Sequence, residues 1–84
     1  MDMDDGLTAL QGTIDGVAHT LMLLIGELEV DGRLDGPGFC QRLRSFGHSR
    51  ELETPYHQCG KVMQDLADRI DEARTVRARR SGRQ

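Results

Sequence analysis

Cys40, His48, His57 and Cys59 sit in the middle of the chain, and all four residue types ligate zinc. Two thiolates with two imidazoles make a reasonable tetrahedral set. Their spacing argues against it, because seven, eight and one residues separate successive members and no compact CxxC pair is present. On a helix, positions 57 and 59 point about 200° apart. The expectation is therefore His48 in a loop, His57 on an exposed face, two unbridged thiols, and no metal or cofactor.

Covalent chemistry finds little more support. Cys59 near a helix N-terminus with His57 close in sequence has the parts of an activated thiol. It also falls on the apolar seam of that helix, which favours a structural role. Gly32, Gly36 and Gly38 lie in an acidic connection without the lysine of a phosphate-cradling loop. Glu27, Glu29 and Asp31 can attract cations weakly, but their spacing is not that of a calcium loop. The residues point to a protein that binds rather than transforms.

Arg74, Arg77, Arg79, Arg80 and Arg83 form a dense basic run that can meet a phosphate backbone or an acidic protein surface. No helix-turn-helix signature or aromatic stacking platform accompanies it. A nucleic-acid-associated accessory protein that contacts phosphates through these arginines is accordingly the alternative reading. The run is one end of a charge gradient. Residues 1–35 hold eight carboxylates against one arginine, a net −7, while residues 36–84 hold ten basic side chains against six acidic ones, a net +4. Such asymmetry favours antiparallel pairing of the two ends, within one chain or between chains.

Periodicity gives the elements that must carry these groups. Leu7, Leu10, Ile14, Val17, Leu21, Leu24 and Leu28 recur at alternating steps of 3 and 4, which predicts a helix over about 6–31 with this seam turned inward. Asp4 or Asp5 suits its N-terminal end. The connection DGRLDGPG, with three glycines and a proline, leads to a short helix over about 37–46 that presents Phe39, Leu43 and Phe46 and stops at Gly47. Thr54-Pro55 opens a long helix over about 55–79 whose seam is Tyr56, Cys59, Met63, Leu66, Ile70 and Ala73. Residues 80–84 are read as a flexible basic tail. The architecture expected is a single all-α domain: an antiparallel helical hairpin of two long helices with a short intervening helix, assembling into a dimeric four-helix-bundle-like unit.

The first helix carries more apolar and small residues than one seam requires. Gly12, Gly16, His19, Met22, Leu23, Gly26 and Val30 mark a second face and form the expected protein interface. On the third helix Gln58, Lys61, Asp65, Asp68, Asp71, Glu72 and Arg79 read as solvated. A homodimer built on the first helix is the favoured geometry, with covering of this face by the short helix within the monomer as the alternative, and another protein is the expected functional partner. The function expected is that of a non-enzymatic interaction module: an adaptor, or an inhibitor or antiactivator that occupies a surface.

Size and composition agree with that class. The 84 residues suit one small domain, and a single tyrosine, two phenylalanines and no tryptophan leave little with which to line an aromatic pocket. The acidic start MDMDDG is unlike a secretory signal, and the Leu21–Ile25 apolar run is far short of the roughly 20 residues of a membrane span. A cytoplasmic protein, not bound to membranes, is the expectation.

Overall fold

The computed structural model describes residues 3–82, with the side chains of residues 5–82. The chain is all-α: α1 spans Met3–Val30, α2 spans Gly36–Glu51, a single 3₁₀ turn covers Thr54–Tyr56, and α3 spans His57–Ser81. Among the described residues there is no strand, and no helix is long and apolar enough to cross a membrane.

Each boundary has a local cause. At the end of α1, Gly32 takes φ +74°, and the amides of Gly32 and Arg33 bond to the carbonyls of Glu29 and Leu28. Those two bonds close a Schellman turn, in which a left-handed residue without a Cβ costs least. Asp35 then caps α2 by accepting the amide hydrogen of Gly38 at 3.2 Å, with Pro37 in the first turn, where no amide hydrogen is needed. At the next corner, Pro55 sits inside the 3₁₀ turn, so α3 begins at His57 rather than at residue 55. His57 Nδ1 donates to the carbonyl of Glu51 at 2.9 Å and satisfies the end of α2. Arg50 lies over both the Phe46 and Tyr56 rings, 5.2 and 4.8 Å from their centroids, and pins the corner from outside.

Gly47 does not terminate the short helix. α2 continues through it to Glu51, and Gly47 is buried in the contact with α3. The missing side chain is needed there for a different reason. A Cβ at Gly47 would stand 2.8 Å from the Gly60 carbonyl oxygen, and one at Gly60 would fall on the Gly47 carbonyl and the Glu51 backbone. Cys40 and Ala67 repeat this small pairing one heptad further along, and both are completely buried. Small residues every seventh position let the two backbones approach closely over the length of α2. Partners on α3 fall in number as those on α2 rise, with Glu51 bonded to Gln64 and Arg44 bonded to Asp68, so α2 and α3 form the antiparallel hairpin.

α1 lies along this hairpin in the same direction as α3. Asp15 is 3.8 Å from Arg69, and Glu29 pairs with Arg74 and Arg77, so numbers rise together on both helices. The face that docks is Ala18, Met22, Ile25 and Glu29. Ala18 is buried, and Met22 and Ile25 pack with Phe39 and Leu43 against the small core of Cys40, Ala67 and Ile70. That face is about 100° around the helix from the Leu7–Leu28 seam, at 100° per residue. The expected inward seam is therefore not the one the chain buries. α1 thus meets the α2–α3 pair through Ala18, Met22 and Ile25, and the leucine ladder stays beside that contact.

Candidate protein-docking site

The leucine ladder is left in the open. Leu7, Leu10, Ile14, Val17, Leu21 and Leu24 are each 47–57% exposed, on a strip that runs along most of α1. From Gly6 to Gly26 the helix contains one formally charged residue, Asp15. Scattered surface leucines need no explanation, but six at coiled-coil spacing on one uncharged face form a contiguous apolar strip of the kind that marks an interaction site.

The residues expected to form the second face of α1 are divided by the fold. Gly12 and Gly16 have open space around them, Leu23 and Val30 are exposed at 68% and 76%, and His19 is exposed with its Nδ1 donating to the Asp15 carbonyl. Met22 packs against the core, and a Cβ at Gly26 would meet the Arg77 guanidinium at 3.0 Å, so these two adjoin the chain's own helices. Met22, Leu23, Gly26 and Val30 still share one open groove of about 670 Å³ near the end of α1, with Leu24, Leu28 and Arg77 on its walls. The stripe read as an interface thus partly abuts α3, while six members of the stripe read as core stay about half exposed, Ile14 among them on the side towards Val62 and Leu66.

The basic run is equally divided. Arg74 Nε donates to Glu29 at 2.7 Å, and the same guanidinium pairs with Asp71; Arg77 donates to Glu29 at 2.7 Å. Arg44 of α2 joins from the other side by bonding Asp68 and Asp71. Glu29, only 8% exposed, is the centre of a clamp through which all three helices are tied by charge. A Cβ at Gly36 would land on the Glu29 carboxylate, so this glycine leaves the room in which the clamp closes. Hydrogen bonds from Arg44 and then Arg74 hold the Asp71 carboxyl below its usual range. Burial works against the charge on Arg74, but its bonds to Asp71 and Glu29 outweigh that and raise its pKa. Asp71 is therefore part of a lock and not of a solvated face, and Arg74 and Arg77 are committed inside the chain. Arg79 and Arg80 remain exposed, while Arg83 lies outside the described residues.

The two thiols have separated. Cys40 is buried under α3, 3.8 Å from Arg74, and burial pushes its pKa up. Cys59 is exposed, because α3 docks through Gly60, Met63, Ala67 and Ile70 and leaves position 59 off that line. His57 is engaged with the Glu51 carbonyl. Among the described residues, no three His, Cys, Asp or Glu side chains come together as a ligand set.

These features define a class by geometry: a three-helix all-α chain, with a close antiparallel hairpin and a long helix that presents an uncovered heptad seam. Comparison with protein-family models, curated proteins and solved structures found no match.

Proposed function

We propose that the chain is a non-enzymatic protein-interaction module that docks through the Leu7–Leu24 seam of α1 and acts by occupying a macromolecular surface, as an adaptor or an inhibitor does. The observation that carries this reading is the exposed, charge-free ladder itself. Burying half-exposed leucines at heptad spacing against a matching helix gives roughly 1 kcal/mol apiece, at 25 cal/mol per Å². Such docking needs no pocket and no reactive group. Commitment of Arg74 and Arg77 to Glu29 leaves the phosphate-binding alternative with a much smaller cationic surface.

A photo-crosslinking residue placed at Ile14 tests the reading in living cells, with the same residue at Glu72 on the outer face of α3 as control. Protein adducts at position 14 and none at position 72 are expected. Adducts at neither position, or nucleic-acid adducts as the dominant product, would overturn it.

A further inference from the structure

Arg42, Phe46 and Arg50 follow one another at four-residue steps along α2 and so share one side of it. That side is not the packed one. Cys40 and Gly47 are buried against α3, Phe39 and Leu43 pack with Met22 and Ile25 of α1, and Phe46 is left 54% exposed. Two open hollows meet at Phe46 and Ser49. One, of about 600 Å³, has Arg42 and Ser45 on its walls; the other, of about 430 Å³, has Arg50, Glu53 and Tyr56. α1 contributes to neither, so this surface is separate from the leucine seam.

Its two arginines differ from most of the others. Arg33, Arg44, Arg69, Arg74 and Arg77 pair with carboxylates of their own chain, whereas among the described residues Arg42 and Arg50 pair with none. Arg50 is nonetheless held in place, because it lies over both the Phe46 and Tyr56 rings. Stacking uses the flat face of a guanidinium and leaves the N–H donors at its edge. A cation fixed in this way has less freedom to lose on binding. Aromatic residues and arginine are also the types enriched where protein surfaces bind most strongly.

Independently of the seam, we infer that the Arg42–Phe46–Arg50 face of α2 is a second docking site, whose occupant is an acidic protein segment with an apolar side chain between carboxylates. The apolar side chain seats on Phe46, and the carboxylates reach the two guanidiniums. From residue 42 to residue 50 the helix rises about 12 Å. Carboxylates that fit stand about eight residues apart on a helix, or about four apart in an extended chain. Charge sets the sign of the occupant, since Glu53 is the one carboxylate on the walls of either hollow. Single-stranded nucleic acid needs a continuous cationic track and ring faces open to its bases. Here the cations are two, and Arg50 already takes a face of each ring. So short a footprint matches a carboxylate pair and not a phosphate chain.

A peptide of one leucine between two runs of four glutamates, titrated into the ¹⁵N-labelled whole chain, tests the site. Amide shifts are expected at residues 42–50 and 53–56 and not along Leu7–Leu24, and the same peptide with lysines for glutamates should cause none. Arg42→Glu with Arg50→Glu should raise the peptide's dissociation constant about tenfold at low salt, given modest energies for exposed ion pairs. Arg42→Glu alone, at an exposed side chain that pairs with nothing, keeps the fold and should raise it about threefold. Arg79→Glu with Arg80→Glu, away from this face, should leave it unchanged. No shifts at residues 42–50, equal shifts with the lysine peptide, or binding that survives the charge reversal at Arg42 and Arg50 overturns the site. Oligothymidylate that shifts the same amides more strongly than the peptide makes nucleic acid the occupant and overturns the acidic protein segment.

Discussion

Gly47 and Gly60 face one another across the α2–α3 contact with nothing between their backbones, and a methyl group on Gly47 would stand 2.8 Å from the carbonyl oxygen of Gly60. The atoms that block it are backbone, which cannot rotate aside as a side chain can. Helix propensity alone would favour alanine at either position by about 1 kcal/mol. Overpacking should prevail, so Gly47→Ala and Gly60→Ala are each expected to lower stability by about 1–3 kcal/mol. Gly12, with open space around it, is the control: Gly12→Ala should raise stability by about 0.5–1 kcal/mol. Urea unfolding followed at 222 nm reads all three, and a Gly60→Ala chain as stable as the natural one would disprove the close contact.

Among the described residues, Glu29 is the one carboxylate that both ties α1 to α3 and is largely out of water. Glu29→Gln keeps the shape and removes the charge, leaving Arg74 and Arg77 without their shared partner. Breaking a buried pair costs about 3–5 kcal/mol. Both arginines keep some solvent contact, so about 2 kcal/mol is expected here. The adjacent exposed pair of Asp31 and Arg33 gives the contrast, with Asp31→Asn changing stability by less than about 0.5 kcal/mol. Equal effects of the two changes would mean that Glu29 is no clamp.

Asp71 gives the acid limb of stability its position. Its carboxyl is held below the ordinary range by Arg44 and Arg74, so the folded chain binds that proton less readily than the unfolded chain does. The contribution is complete above the unfolded value of about 3.9 and is lost as pH falls through the lower folded value. Urea midpoints should thus be flat in this group from pH 7 to about 5 and fall below about pH 4. Asp71→Asn should make that fall shallower; an unchanged acid limb would show that the pairing adds nothing to folding.

The separated thiols predict selective alkylation. Iodoacetamide at pH 7.5 should modify Cys59 quickly and Cys40 only after unfolding, because thiolate is the reactive form and burial both raises the Cys40 pKa and blocks access. Intact mass should therefore show one adduct per native chain and two in guanidinium. Rapid double labelling of the native protein would contradict a closed α2–α3 contact.

The helical class and the long–short–long order were legible because steps of 3 and 4 among Leu7 to Leu28 and Met63 to Ala73 admit no strand. Which face α1 buries was not legible. Hydrophobicity ranks leucines above Ala18 and Met22, whereas the surface that receives α1, built on Cys40, Ala67 and Ile70 from the other two helices, is not visible in the α1 sequence. Gly47 was ambiguous for a related reason: a glycine that ends a helix and one that lets a neighbour approach look identical in one chain. The clamp was hidden because its links between helices span 24 to 48 residues, from Arg44–Asp68 to Glu29–Arg77, and each carboxylate taken singly resembles an ordinary surface charge. Gly36 was a usable signal, since a glycine just inside a capped helix start is otherwise a poor choice. The stretch from Gly6 to Gly26, with Asp15 as its one formal charge, marked α1 as unusually apolar, although the strip left uncovered was the neighbouring one.

Docked from Ala18 onward and anchored at Glu29, with the exposed Asp15–Arg69 pair its one earlier tie among the described residues, α1 leaves most of its first four turns without close support from the hairpin, as a beam built in at one end. Between Asp5 and Ala18 that beam is about 20 Å long, so a 10° bend at its root carries the tip about 3 Å. Gly12 and Gly16 fall within this span, where glycines lower the resistance of a helix to bending. The hairpin thus sets where the beam is rooted, and the stiffness of four turns sets how widely its free end can sweep in search of a surface.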